Sequence, residues 1–140
     1  MLKNIFWFGH ASFFFNFVNS KIRIYMDPWQ LPDDLPVADI VFVSHFHYDH
    51  CSPMDIQKIA GPGTIVVGNE ATVNKVAEAG LNKTLTVQPN QNYEVAGISF
   101  KTVRAYNVNK YRKPGIHFHP KEEDHLGFVI KADDKYIYFS

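Results

Sequence analysis

Ile40-Val41-Phe42-Val43-Ser44-His45-Phe46-His47-Tyr48-Asp49-His50 joins a greasy strand directly to a cluster of metal-ligand residue types. Ile40–Val43 is a continuous apolar run, the pattern of a strand buried on both faces in the middle of a sheet. It stops at Ser44, and four side chains able to bind a cation follow within six positions: His45, His47, Asp49 and His50. Ser52-Pro53 then reads as an N-cap followed by proline at the first helical position, opening a short helix to about Ala60 that Gly61-Pro62-Gly63 stops. In an extended or tightly turned backbone, residues two apart project to the same side, so His45 and His47 can offer nitrogen to one cation. Asp49 and His50 follow after a turn and can face a second position beside it. Mixed nitrogen and oxygen donors suit borderline divalent metals, zinc first, with manganese or iron as alternatives, as one or two ions. Such an ion would lower the pKa of a bound water and supply a hydrolytic nucleophile at neutral pH. A single His-x-His would read better as structural histidines or a solvated turn. Four ligand types between a buried strand and a capped helix favour the metal.

Outward from this loop, the N-terminal side reads as three short strands, Asn4–Phe8, Ser12–Phe17 and Ile22–Met26, the last two joined by a turn at Asn19-Ser20. Asp27-Pro28-Trp29 ends the third, and the proline-rich stretch Leu31–Pro36 is an irregular connection. On the C-terminal side Thr64–Val67 reads as a strand. A helix begins at Asn69 or Glu70, carries Val73, Val76, Ala77 and Ala79 at helical spacing, and closes at Gly80. This alternation of strand and helix argues for an α/β layer. Leu85–Val87, Tyr93–Val95 and Ile98–Val103 return the chain to sheet, and Leu126–Lys131 and Lys135–Phe139 form a hairpin around Asp133-Asp134. Between them, residues 107–125 lack periodicity and hold three of the seven histidines, and loops that long in a compact domain are usually functional. No repeat or domain boundary interrupts the 140 residues, which read as one domain.

Fourteen basic and fourteen acidic residues balance, and no dense basic run appears, so the sequence offers no field to attract nucleic acid or an anionic membrane. The expected partner is a small-molecule substrate. The lone Cys51 cannot form an internal disulfide, and Met1 leads into a strand-like segment rather than a leader, which together point to the cytoplasm. No apolar stretch approaches the roughly twenty residues of a membrane-spanning helix.

His45-x-His47-x-Asp49-His50 resembles the signature of the metallo-β-lactamase superfamily. Gly9-His10-Ala11-Ser12, Asp27-Pro28-Trp29 and Arg104-Ala105-Tyr106-Asn107 resemble motifs of the branch that includes the L-ascorbate-6-phosphate lactonases and the N-acylphosphatidylethanolamine phospholipases. The resemblance implies an α/β chain forming the N-terminal portion of an αβ/βα sandwich, a mixed sheet with flanking helices and a metal site at one sheet edge. It implies that His45 and His47 bind the first metal and Asp49 and His50 the second, with Asp49 also holding or deprotonating the catalytic water. Asp27 would orient the loop as a buried carboxylate, or simply form a turn before proline; His10 would sit near the pocket, or pack at a strand end. Many members of the superfamily carry a further histidine where this chain has Asn107. His119 is the preferred replacement and His117 the second candidate. Arg104 stands in place of the branch's proline.

In the superfamily the strand resembling Tyr136–Phe139 runs into a segment whose aspartate bridges the two metals, and a last histidine ligand comes much later. The chain is therefore expected to be a truncated domain whose sheet leaves an apolar face, covered by a second copy in a homodimer. Two functions follow: a metal-dependent hydrolase of an ester, lactone or phosphodiester, or a non-catalytic dimeric remnant that binds metal.

Overall fold

The computed structural model describes residues 4–140, so the part of the leader expectation that rests on residues 1–3 lies outside the described residues. Six strands form the first sheet: β1 (Ile5–Gly9), β2 (Ser12–Phe17), β3 (Ile22–Met26), β4 (Ile40–Phe42), β5 (Ile65–Gly68) and β6 (Thr84–Thr86), in that spatial order. The pairs β1–β2 and β2–β3 are antiparallel, while β3–β4, β4–β5 and β5–β6 are parallel. Parallel neighbours need crossovers: the irregular segment 27–39 carries the chain from β3 to β4, and two helices serve the other two pairs. Helix α1 (Pro53–Ile59) follows β4, with Ser52 accepting from the Asp55 N–H as its N-cap; α2 (Glu70–Glu78) follows β5, with Asn69 accepting from Thr72 N–H.

The second sheet holds β7 (Asn92–Val95), β8 (Ile98–Arg104), β11 (Leu126–Ala132) and β12 (Lys135–Phe139), ordered β12-β11-β8-β7 and antiparallel throughout. Between β8 and β11 a small hairpin, β9 (Tyr111–Lys113) with β10 (Ile116–His117), stands where the sequence suggests only loop. The turn joining β11 to β12 places both Asp133 (φ 47°) and Asp134 (φ 59°) in the left-handed region, the geometry a two-residue hairpin demands and aspartate tolerates.

Period-two alternation gives the first sheet two apolar faces. Phe14, Tyr25, Val41, Val43 and Val66 meet Ile56, Ile59 and Val76 of the helices on one side. Phe15, Ile24, Met26, Ile40, Phe42 and Val67 meet Ile98, Phe100, Leu126, Phe128 and Ile130 of the second sheet on the other. Phe42 sits at the centre of that interface, its ring centroid 5.0 Å from those of both Phe100 and Phe128. The mixed sheet with flanking helices agrees with the sequence expectation. The bare apolar face does not: the two sheets of this one chain cover each other, because β7, β8, β11 and β12 already supply inward-facing Ile and Phe. The argument that a second copy must cover the first sheet therefore falls away. Among the described residues, no helix is long and apolar enough to cross a membrane.

Candidate metal centre

The histidine loop lies where the two sheets converge. At its start the Asp27 N–H donates to the Phe42 carbonyl and the Val43 N–H to the Val67 carbonyl, extending the ladder to the edge of the loop. From the second sheet, Leu126 N–H donates to the Ser44 carbonyl at 2.8 Å, which brings His125 beside His45. Two turn bonds, His50 N–H and Cys51 N–H to the His47 carbonyl, fold the loop back, and Lys75 Nζ of α2 donates to the Phe46 carbonyl at 2.7 Å. Cys51 is buried and its thiol is pushed up to about 11 by burial, so it is an inert packing group.

Asp27 organises the loop from behind. It is fully buried, at 0% exposure, and adopts a left-handed φ of 41°. Its carboxyl accepts from Ser44 N–H (2.7 Å), Ser44 Oγ (2.5 Å) and His50 Nδ1 (2.7 Å). Burial pushes this carboxyl above the usual carboxylate range, against the pull of the His50 and Ser44 bonds. The network assigns two tautomers. Since Ser44 Oγ gives its proton to Asp27, its 2.9 Å contact with His45 Nδ1 requires that nitrogen to donate, which leaves His45 Nε2 as a bare lone pair. His50 donates through Nδ1 and likewise keeps Nε2 free of hydrogen.

His45 Nε2 is buried and has no hydrogen-bond partner among the described residues. An unsatisfied buried nitrogen costs about 1–3 kcal/mol, which a cation at that point would relieve. Around it stand the rings of His47, His119 and His125, with centroids 4.6, 4.8 and 4.5 Å from that of His45. The donor atoms of His45, His119 and His125 all lie within 4.8 Å of one another. Burial and the neighbouring imidazoles push His45 down to about 2 and His125 to about 4, and lower His119 as well. All three therefore stay neutral near pH 7, the form that binds metal. The residues fit a divalent ion.

Each expected ligand can now be placed. His45 and His119 share one group of converging donors; Asp49 and His50 share another with His10. His47 lies beside the first group, its donor atom converging with those of Glu123 and His125. Asn107 is not itself in any such group: its Oδ1 lies 2.9 Å from His119 Nδ1 and accepts the His119 N–H at 3.1 Å, while its own N–H bonds to the His119 carbonyl. It engages His119 through Nδ1, which leaves Nε2 as the nitrogen available to a cation. Asn107→Ala is expected to weaken zinc binding by about 10- to 100-fold, the usual cost of losing a group that orients a ligand, measurable by chelator competition. His117 instead stacks on Tyr111 at 4.4 Å, away from His45. Arg104 pairs with Asp124 and donates to the Lys121 carbonyl at 2.8 Å, pinning the segment between His119 and His125.

His125 is the residue that sequence reading missed. It is 2% exposed and its Nε2 lies 2.9 Å from Glu123 Oε2, yet among the described residues neither ring nitrogen has a partner in hydrogen-bonding alignment. A histidine directly ahead of the apolar strand Leu126–Ile130 was the available signal. His45, His50, His119 and His125 line a cleft of about 540 Å³ with Ala105, Tyr106 and Tyr138, a volume suited to a small molecule.

Residues 4–140 match the family described as Beta-lactamase superfamily domain. A UPF0173 metal-dependent hydrolase of Thermoplasma volcanium is 29% identical over 115 residues, covering 76% of this chain and 49% of the relative. Another from Pyrobaculum islandicum is 32% identical over 94 residues, 60% of this chain and 40% of the relative. The chain thus spans about half the length of these relatives, or less. Among solved structures, a candidate metal-dependent hydrolase of Parabacteroides distasonis superposes with a TM-score of 0.79 at 23% identity, covering 96% of this chain and 58% of that one. Igni18, a metallo hydrolase of Ignicoccus hospitalis, does so at 0.65 with 17% identity, covering 97% and 59%. With its loop between β4 and α1 and a family match running through to Ser140, the chain belongs to the β-lactamase superfamily domain family.

Proposed function

We propose that this chain carries the metal-binding part of a cytoplasmic, zinc-dependent hydrolase that cleaves an ester, lactone or phosphodiester, as in the lactonase and phospholipase branch its motifs resemble. The observation that carries the reading is the lone pair of His45 Nε2, buried without a partner and facing His119 and His125. In this reading His45, His47 and His119, with His125, hold the first metal, and Asp49 and His50 the second. A divalent ion held there would polarise the substrate and activate water. The protein's own part is to hold the His45, His119 and His125 imidazoles neutral, to exclude solvent around His45, and to offer Asp49 as a proton acceptor. The Asp49 side chain is 28% exposed and faces the open side of the cluster, where a reacting water can reach it.

Turnover of ester, lactone and phosphodiester substrates with added zinc or manganese tests this. His47→Ala and Asp49→Asn are each expected to lower kcat/KM by about 100-fold or more, the scale of a positioned acid–base or metal-held group. Tight zinc binding without turnover on any of the three classes would favour the non-catalytic alternative. The homodimer is retained as the expected assembly, with the 70% exposed Tyr136 of β12 among the apolar groups it could cover. Sedimentation equilibrium is expected to return twice the 16.1 kDa chain mass, and the single mass would overturn it.

A further inference from the structure

His10 lies outside the loop motif and reaches the cluster from the turn between β1 and β2. It occupies the turn between β1 and β2 with a left-handed φ of 46°, after Gly9 at φ 110°. A non-glycine residue in that region costs about 1–3 kcal/mol and persists only where its surroundings hold it. Here Trp7 Nε1 donates to the His10 carbonyl at 3.0 Å, and the Trp29 ring packs edge-on against the imidazole at 5.5 Å. The ring is thereby aimed at the loop. His10 Nε2 lies 3.2 Å from His50 Nε2 and 3.2 Å from Asp49 Oδ2, and the latter two atoms are 3.9 Å apart.

Those three separations can be compared with two arrangements. A charge-assisted hydrogen bond from imidazolium to carboxylate closes to about 2.7–2.9 Å, shorter than the His10–Asp49 contact, while the 3.2 Å between His10 and His50 suits an N–H···N hydrogen bond as well as a shared ion. Donors around one tetrahedral zinc, at 2.0–2.1 Å from it, stand about 3.3 Å from one another. A circle through the three atoms has a radius of about 2.0 Å, so an ion in their plane would reach all three at the zinc–ligand bond length, with only the 3.9 Å His50–Asp49 side wider than the tetrahedral spacing. The lone pair of His50 Nε2 is already committed to this side, because Nδ1 donates to Asp27.

We propose that His10 Nε2, Asp49 Oδ2 and His50 Nε2 form a divalent-cation position of their own on the solvent side of the cluster, with His10 as its third protein ligand. The position rests on the reading of the loop as a metal site and adds to it a ligand from the β1–β2 turn. Two nitrogens and one carboxylate suit zinc, manganese or iron, and the partial exposure of His10 and Asp49, 43% and 28%, leaves room for solvent or a substrate oxygen. With the buried histidine group behind it, the chain would hold two ions using its own residues.

Zinc titration of the metal-stripped chain, followed by chelator competition, tests the assignment. The unaltered chain is expected to take two equivalents. His10→Asn, which tolerates the left-handed turn, is expected to take one tight equivalent and to bind the second at least about 100-fold more weakly, beyond the 10–100-fold cost of an outer contact. His119→Ala is expected to spare that second equivalent and lose the other. Carbethoxylation read by mass spectrometry needs no substitution: in the unaltered chain His10 is expected to be modified without zinc and protected with it. Two equivalents of unchanged affinity in His10→Asn, or no protection of His10, would overturn the assignment while leaving the hydrolase reading in place. An unaltered chain that binds no zinc would overturn both.

Discussion

Asp27→Ala is expected to destabilise the metal-free chain by about 3–5 kcal/mol and to abolish tight metal binding, the largest combined effect of any single substitution at this site. The stability loss has three sources: Ser44 N–H, Ser44 Oγ and His50 Nδ1 all lose their acceptor inside the protein. Alanine must also adopt the left-handed φ of 41° that aspartate tolerates. The affinity loss has a different cause. Without the carboxyl, nothing compels His45 and His50 to carry hydrogen on Nδ1, so their Nε2 lone pairs are no longer reserved for a cation. Asp27→Asn separates the two effects. It keeps the shape and the turn and is expected to cost less stability, yet it should weaken zinc binding by about 100-fold or more, because an amide N–H facing His50 Nδ1 favours the opposite tautomer. Urea denaturation with EDTA present and chelator competition measure the two quantities apart. Equal losses of stability and affinity in both variants would contradict the tautomer argument.

Acid is expected to unfold the metal-free chain from the site outward. His45 and His125 are held down to about 2 and about 4 by burial and by their neighbours, whereas in the unfolded chain each returns to its ordinary value near 6.5. Above that value both states are neutral and no pH dependence arises from them. As pH falls below it, the unfolded chain takes up protons that the folded chain refuses, and folding is penalised. The penalty continues to about pH 4 for His125 and to about pH 2 for His45. Each group contributes about 1.4 kcal/mol per pH unit within its window. Between pH 7.5 and 5 in EDTA, Tm is expected to fall by about 10 °C from these two groups, with His119 acting in the same direction. His125→Phe should flatten the slope. A Tm independent of pH over that range would mean that the imidazoles are solvated and free to protonate.

Much of this molecule was legible in its sequence, and the boundary of legibility is physical. β2 and β3 have the limits expected of them because aromatic and β-branched runs flanked by turn residues leave one register that buries them. Helix α1 was marked by Ser52 and Pro53, whose capping roles depend only on neighbouring backbone. The hairpin of β9 and β10 was not legible. Its strands are short, mostly exposed and polar, and no alternation records a buried face. The choice between His117 and His119 was equally closed to local reading. It is made by Asn107, twelve residues away, whose side chain and backbone both bind His119. His125 enters the site only because Leu126 pairs with Ser44 across the two sheets, a contact between residues far apart in sequence. The covering of the first sheet by the second was underestimated for a related reason: each strand of β7, β8, β11 and β12 looks modest alone, and their shared face emerges only from the order in which they pair.

The claim beneath all of this is that the imidazole cluster between the two sheets grips a cation. Anomalous diffraction at the zinc absorption edge, from crystals of the chain grown with zinc, tests it most directly. An anomalous peak is expected within about 2.0–2.2 Å of both His45 Nε2 and a His119 ring nitrogen, with a second beside His10, Asp49 and His50. Zinc-soaked crystals showing no peak within bonding reach of His45 would contradict it.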